Sequence, residues 1–552
     1  MTKLAGLTPE MCDMVVQTLR QVVKRDLPDE RVLALDQAET FPEEFIRTLL
    51  SPDVGLHLLF LPESVGGLGG GARDICLVSE EMAGIDLGVA TAFLAICLGT
   101  DPIIVGGTPE QKSRWLSRIA GEGLIVAYGV TEPAAGSNVS ALQTRAEPVR
   151  DPGGALTHYR LNGAKQFITN GGVAQIYTIL AQAPAGPSFF VVERDTPGVS
   201  VGRQEDKHGI RASNTTSVLL EDVLVPADQL IGIEEGRGLR QANAVFGYTR
   251  LMVGAFGLGA GQMALDRALA YSRSRIQFGS PLIEKQGYTH KLLVPNWIDL
   301  AAGRAYVREV ALRIDSGEHD LQVEGSIAKL WCTEAGNRAA DAALQAFGGY
   351  GYTREYMVEK IRRDVRITSI YEGTSEIQQV IIGLFRWKEA VRSRGTFYRE
   401  AAAGLDALHA RRPEVGAGFA AGALRTLGEA ILHCHATGAT KHQIAQFTLA
   451  DMATAAEVAG SFCRLTAAEA DAGAADANAR AAMSRQCARQ ALATVRRGAL
   501  QCVLGQVDPS DEAQLAQTAP AVASLAPAEA WRTLAGGWRD LDLIADHLRA
   551  LG

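Results

Sequence analysis

Between Leu124 and Gly236 the chain changes its period. Helical spacing of apolar residues gives way to short β-branched and aromatic runs, IVAYGVT, YRLNGAKQFITN, IYTILAQA, FFVVERD, VSVGRQ and TSVLLEDVLVP, punctuated by Gly, Pro and Asn-Gly turns. Strands repeating at a spacing of roughly 8 to 12 residues with no helix between them predict an antiparallel barrel or sandwich. A βαβ dinucleotide-binding unit is excluded by the same pattern.

Helical periodicity flanks this island on both sides. Residues 1–123 read as helices separated by turns, starting at Thr8-Pro9-Glu10, and the glycine-rich PESVGGLGGG (Pro62 to Gly71) reads as a loop because no Lys-Ser/Thr follows it. The longest apolar run, Leu87 to Gly99, is too short to span a bilayer and is expected to close at Asp101-Pro102 as a buried core helix. Residues 237–394 carry long amphipathic helices of the length that suits a bundle, and residues 395–552 are alanine-rich and helical, broken at Arg412-Pro413, GAADANA and DPSDEAQLAQTAPAVASLAP. In that tail Ala445, Leu449, Met452, Ala456, Ala459 and Cys463 share one helix face. The expected class is α+β and mostly α, in four parts: an N-terminal helical domain (1–123), a β domain (124–236), a helical bundle (237–394) and an accessory helical domain (395–552).

Composition narrows the partners. A net charge of -8, with no polybasic stripe, argues against nucleic acid and anionic membrane as partners. Eight cysteines without a CxxC pair form neither a disulfide framework nor a zinc ribbon, so a reducing compartment is expected, and the N-terminus lacks the layout of a signal peptide. The chain is therefore expected in the cytoplasm, with no transmembrane segment. His433, Cys434 and His435 are adjacent, point to different faces and are not expected to hold a metal.

One carboxylate stands out. In Tyr371-Glu372-Gly373-Thr374 the run RITSIY reads as helix, the glycine supplies a bend, and a second helix starts at Thr374. That puts Glu372 in a corner between helices, beside exposed N–H groups that suit an anion. On these residues alone, a solvated or capping acid is the commoner outcome.

The segment QAFGGYGYTREYMVEKIRRDVRITSIYEGTSEIQQVIIG (Gln345 to Gly383) resembles the C-terminal signature of the acyl-CoA dehydrogenases. YGVTEPAAGSN (Tyr128 to Asn138), NGAKQFITNGG (Asn162 to Gly172) and SRIQFGSPLIEKQ (Ser274 to Gln286) match the same family in the same order. The resemblance covers roughly residues 36–386; the tail resembles the extra helical domain of the family's longer members. It implies FAD as cofactor and Glu372 as the base that removes the α-proton of an acyl-CoA thioester. It also implies that Tyr128, Val130, Thr131, Gly136 and Ser137 line the flavin, with Phe167, where many relatives have Trp, and Thr169 beside the ring. Arg275, Phe278 and Gln286 are implied to reach the FAD of a neighbouring subunit, Gln345, Gly348 and Gly349 to let FAD pass, and Thr374 and Glu376 to finish the adenosine end. For the substrate it implies Ser137, Arg250, Tyr371, Gly373, Ala90 and Leu94, with Ile96 on the same pocket-lining helix. Arg250 reads equally well as a bundle-surface ion pair.

The resemblance thus implies α,β-dehydrogenation of an acyl-CoA to a 2-enoyl-CoA, as in β-oxidation of fatty acids. Electrons would pass to electron-transfer flavoprotein, and the protein would be a homo-oligomer, a dimer before a tetramer. No carboxylate stands between Gly247 and Arg250, where some relatives keep their base, and Ala90 stands where dicarboxylyl relatives carry arginine, so a neutral acyl chain is expected. Two other readings stay open: an oxygen-using acyl-CoA oxidase, and an FAD-containing binding or assembly protein.

Overall fold

The computed structural model describes residues 6–505, 507–525 and 535–551. It opens with helices α1 (Pro9–Asp26), α2 (Asp29–Ala38), α3 (Glu43–Leu50), α4 (Ala72–Ala83), α5 (Leu87–Gly106) and α6 (Pro109–Glu122). Thr8 caps α1 by accepting from the Met11 N–H, with Pro9 at the first helical position, as its sequence implied. The core helix α5 differs from expectation: it continues through Pro102 to Gly106. Proline removes one backbone hydrogen bond, and a helix buried on nearly every side keeps enough packing to outweigh that loss. Although α5 is long and apolar enough to cross a membrane, 78% of that window is buried inside the protein. Its Gly99 is required, because a Cβ there would lie 2.8 Å from the Val126 carbonyl carbon.

The sheet contains β1 (Val126–Gly129), β2 (Arg145–Arg150), β3 (Leu156–Thr169), β4 (Ile176–Ala183), β5 (Gly186–Glu193), β6 (Val199–Val201) and β7 (Thr215–Pro226). Its order is β1-β4-β2-β3-β7-β6, with β5 pairing β4. Two features correct the expectation of a purely antiparallel sheet. Strand β4 runs parallel to β1 and meets β2 in parallel at Arg145, because the chain makes a long excursion through β2 and β3 before returning beside β1. Strand β2, RAEPVR, was not expected at all: it is mostly exposed, charged and contains Pro148, and it is a strand because it pairs along β3.

Beyond the sheet come α7 (Gly238–Ser274), the two-residue strands β8 (Ile276–Gln277) and β9 (Ser280–Pro281), the single turn α8 (Gln286–Tyr288), α9 (Val294–Asp315), α10 (Gln322–Phe347), α11 (Met357–Val365) and α12 (Ser375–Arg392). The tail forms α13 (Thr396–Arg411), α14 (Ala417–Thr437), α15 (Gln443–Asp471), α16 (Ala477–Leu504), α17 (Glu512–Leu525) and α18 (Gly537–Ala550). The stretch DPSDEAQLAQTAPAVASLAP, expected as a break, holds α17 instead. Asp511 caps that helix by accepting from the N–H groups of Ala513 and Gln514, while Ala526 and Pro527 lie outside the described residues.

Residues group into two compact units. The first comprises Met1–Ala260, Ala311–Leu321 and Thr353–Thr368; the second comprises Gly261–Val310, Gln322–Tyr352 and Ser369–Gly552. In the first, fully buried Lys360 on α11 sits between the carboxylates of Asp86 and Asp364, and Asp364 also accepts from the Ile210 N–H at 2.6 Å. Burial opposes charge on Lys360, but two carboxylates outweigh it and raise its pKa.

Candidate active site

The corner around Glu372 lies in the second unit. The helix read over RITSIY is a short 3-10 helix, Arg366–Ser369, in keeping with the β-branched Ile367 and Thr368. Helix α12 starts after Thr374, whose hydroxyl caps the Ile377 N–H at 3.4 Å. Glu372 and Gly373 are both left-handed, at φ +54° and +82°. For a glutamate that conformation costs on the order of 1 kcal/mol and persists only if its surroundings impose it. They do: buried Gln378 donates through Nε2 to the carbonyls of Glu372 (3.1 Å) and Gly373 (2.9 Å), and buried Lys329 on α10 donates to Gly373 at 2.7 Å. Ser375 adds a 2.6 Å bond to Glu334. The result is a fixed reversal that holds Glu372 and Tyr371 half-buried, with Glu376 exposed. Ile370, two residues before Glu372, is 47% exposed.

In the first unit Tyr128 is the penultimate residue of β1, half-buried, with its ring 5.7 Å from that of Phe189. Val130 is buried, and the Thr131 carbonyl accepts from the Gln166 N–H at 2.9 Å. Gly136 and Ser137 are exposed, and a Cβ on Gly136 would meet nothing within 4 Å. Phe167 occupies a register irregularity between β3 and β7 in a left-handed conformation (φ +57°), which leaves it 63% exposed, while Thr169 pairs with Thr215. Sequence reading missed what fixes this loop. Lys165, fully buried, donates to Glu132 at 2.6 Å and to the Val130 carbonyl at 3.3 Å, and Glu132 also accepts from the N–H groups of Gln143 and Thr144. Burial pushes Lys165 down to about 8 despite its partner; it also pushes Glu132 up, but the hydrogen bonds outweigh that and hold its carboxyl low. Both residues stand within the family motifs, and a Lys in an otherwise alternating strand was the available signal.

Exposed groups gather in the second unit. Phe278, at φ +51°, tips the β8–β9 hairpin and is 98% exposed, and the Arg275 guanidinium lies 5.8 Å from the Tyr350 ring centre. Gln286 and Gln345 are exposed, as are Gly348 and Gly349, where a Cβ would meet nothing within 4 Å.

Three family models match consecutive stretches: acyl-CoA dehydrogenase N-terminal domain over residues 9–122, middle domain over 127–223 and C-terminal domain over 236–384. Together they cover more than half of the chain. This chain belongs to the acyl-CoA dehydrogenase family. It is 35% identical over 379 residues to the Mycobacterium tuberculosis protein named probable acyl-CoA dehydrogenase FadE25, covering 68% of this chain and 95% of that one. Butyryl-CoA dehydrogenase from Megasphaera elsdenii superposes with a TM-score of 0.64 at 35% identity, over 68% of this chain and 98% of the other. An acyl-CoA dehydrogenase from Bacillus anthracis, solved with FAD, shares the fold over 100% of this chain and 97% of its own, with a TM-score of 0.83 at 24% identity.

An acyl-CoA dehydrogenase is an FAD-dependent oxidoreductase, and the residues present fit that cofactor. Open space beside Gly136, Gly348 and Gly349 leaves room for a ligand to pass close to backbone, and an exposed Arg275 fork suits a pyrophosphate. Helix α5, expected to line the acyl pocket, differs in detail from expectation. Ala90 and Leu94 have no accessible surface and Ile96 has almost none, whereas Ala95 and Leu98, on the neighbouring face, retain some. Arg250 is buried, which removes the bundle-surface alternative. Beside it Tyr248 donates to Asp101 on α5 at 2.8 Å and lies 3.0 Å from the Cys97 sulfur. Burial and the Asp101 charge drive the Tyr248 pKa up.

Proposed function

We propose that this acyl-CoA dehydrogenase oxidises a neutral acyl-CoA thioester to its 2-enoyl-CoA, with Glu372 taking the α-proton. The observation that carries the reading is the reversal at Glu372: Lys329 and Gln378, both buried, hold two consecutive left-handed residues that the backbone would not adopt unaided. Bound FAD supplies the two-electron acceptor for the hydrogen leaving the β-carbon. In this reading the Glu372 N–H stabilises the thioester oxygen as charge develops there, so one residue serves as base and oxyanion donor. Tyr128, Val130, Thr131, Phe167 and Thr169 line the flavin ring, and Gly136 and Ser137 leave room for phosphate and acyl thioester. Arg250, Tyr371 and Gly373 complete the substrate side, where α5 offers Ala95 and Leu98 in place of the fully buried Ala90 and Leu94. Thr374, Glu376, Gln345, Gly348 and Gly349 pass the adenosine half, and Arg275, Phe278 and Gln286 reach the flavin of a neighbouring subunit, which makes a homodimer the working form. Phe278 tips its hairpin at 98% exposure, which leaves its ring accessible to a neighbouring chain. Electron-transfer flavoprotein in the cytoplasm takes the electrons, and β-oxidation is the setting.

The test is anaerobic titration of the purified yellow holoenzyme with a panel of CoA thioesters of differing length and branching. A dehydrogenase loses its flavin absorbance with at least one of them. Binding without bleaching across the panel would mark a binding protein, and rapid peroxide release in air would mark an oxidase.

A further inference from the structure

The hairpin that carries Arg275 and Phe278 cannot hold itself. Its ladder is two residues long on each side, Ile276 opposite Pro281 and Gln277 opposite Ser280, and an isolated pair of strands is marginal even at greater length. Local support comes from Lys285, which donates to Ser280 Oγ at 2.6 Å and to the Phe278 carbonyl at 3.3 Å. The Leu282 N–H adds a bond to the Arg275 carbonyl at 2.9 Å, and further support comes from the far end of the chain.

Helix α18 buries Ile544, Ala545 and Leu548 and meets the base of the hairpin at both ends. On the incoming side, Arg273 Nη2 donates to the Leu548 carbonyl at 3.1 Å. On the outgoing side, Arg549 Nε donates to the Ile283 carbonyl at 3.2 Å. Asp542 then takes two donors on one oxygen, Gln286 Nε2 and His290 Nε2, each at 3.1 Å. A carboxylate only accepts, so His290 presents Nε2–H to it, with its Nδ1 3.0 Å from Thr289 Oγ1. The same logic assigns the amide of exposed Gln286: with Nε2 donating to Asp542, the oxygen is left as an acceptor.

We propose that α18 braces the flavin-binding hairpin and that Asp542 is a positioning residue, presenting the Gln286 carbonyl oxygen to a hydroxyl or amino donor on the adenosine half of FAD. This rests on the proposed function, which places Gln286 at the cofactor. The accessory tail thereby acts on cofactor retention, a role separate from any part in covering the bundle.

The experiment compares Asp542→Ala, Asp542→Asn and Gln286→Ala in the full-length holoprotein. FAD dissociation constants are read by flavin fluorescence, and melting temperatures are taken on the FAD-free forms. Asp542→Ala is expected to weaken FAD binding about fivefold, the equivalent of one hydrogen bond. Asn keeps an acceptor at that position, so Asp542→Asn is expected to bind like the parent, with the melting temperatures of the FAD-free proteins unchanged. If Asp542→Ala binds FAD normally while Gln286→Ala does not, the positioning role is wrong. If Asp542→Asn loses as much FAD as Asp542→Ala, or Asp542→Ala lowers the melting temperature of the FAD-free protein, α18 is only a structural seal. Normal FAD binding by Gln286→Ala would instead remove the cofactor placement on which the proposal stands.

Discussion

Glu372 owes its conformation to Gln378, whose role its own motif does not reveal, and to Lys329, which lies outside every motif. The YEGT tetrapeptide made the acid legible in the sequence, and Gly373 announced a turn. Lys329 and Gln378, which hold the carbonyls of that turn, are ordinary helix residues whose role depends on burial beneath the corner. Gly373 itself combines φ +82° with a neighbour, Gln378 Nε2, that would lie 2.6 Å from any Cβ. Gly373→Ala is therefore expected to cost about 1–2 kcal/mol of stability and to slow flavin reduction by displacing Gln378. Urea unfolding and stopped-flow reduction by acyl-CoA would measure both, and wild-type values in each would show that the reversal tolerates a side chain. Arg250 was ambiguous in sequence because helical spacing alone does not say which side of a long helix is covered.

At the scale of elements, the β island was readable from its strand spacing, while its pairing was not. Parallel contacts of β4 and the polar strand β2 arise from long-range closure, which local alternation does not encode. The same closure buries the Lys165–Glu132 pair that ties β3 to the loop after β1. Lys165→Met strands the Glu132 carboxylate and is expected to cost about 3–5 kcal/mol near neutrality, read by denaturant unfolding. The pH dependence has a defined sign. With its pKa lowered from 10.5 to about 8, folded Lys165 releases its proton before the unfolded chain does. Its contribution is least favourable below pH 8 and improves as pH rises from 8 toward 10.5. The slope of stability across that window is expected to drop in Lys165→Met; an unchanged slope would mean that Lys165 titrates normally.

Across the whole molecule, the family models end at residue 384, and the helices of the tail are built into the second unit. Helix α15 approaches α12 so closely that a Cβ on Gly383 would lie 2.6 Å from the Gln446 carbonyl. Buried Arg386 binds Glu457 of α15 and Glu324 of α10, and Tyr398 of α13 donates to the same Glu457 at 3.1 Å. The apolar face of α15 was evident from its spacing, but this ion network was not, since its members are far apart in sequence. Arg386→Met leaves two carboxylates near each other in a covered site, and a loss of about 3–5 kcal/mol is expected in thermal or denaturant unfolding. A loss under about 1 kcal/mol would mean that the tail is attached by apolar packing alone. The central claim, however, concerns a single proton. In Glu372→Gln, mixed anaerobically with a thioester that bleaches the parent enzyme, FAD content and ligand binding are expected to persist while the flavin absorbance stays unbleached; reduction at the parent rate would contradict the assignment of Glu372 as the base.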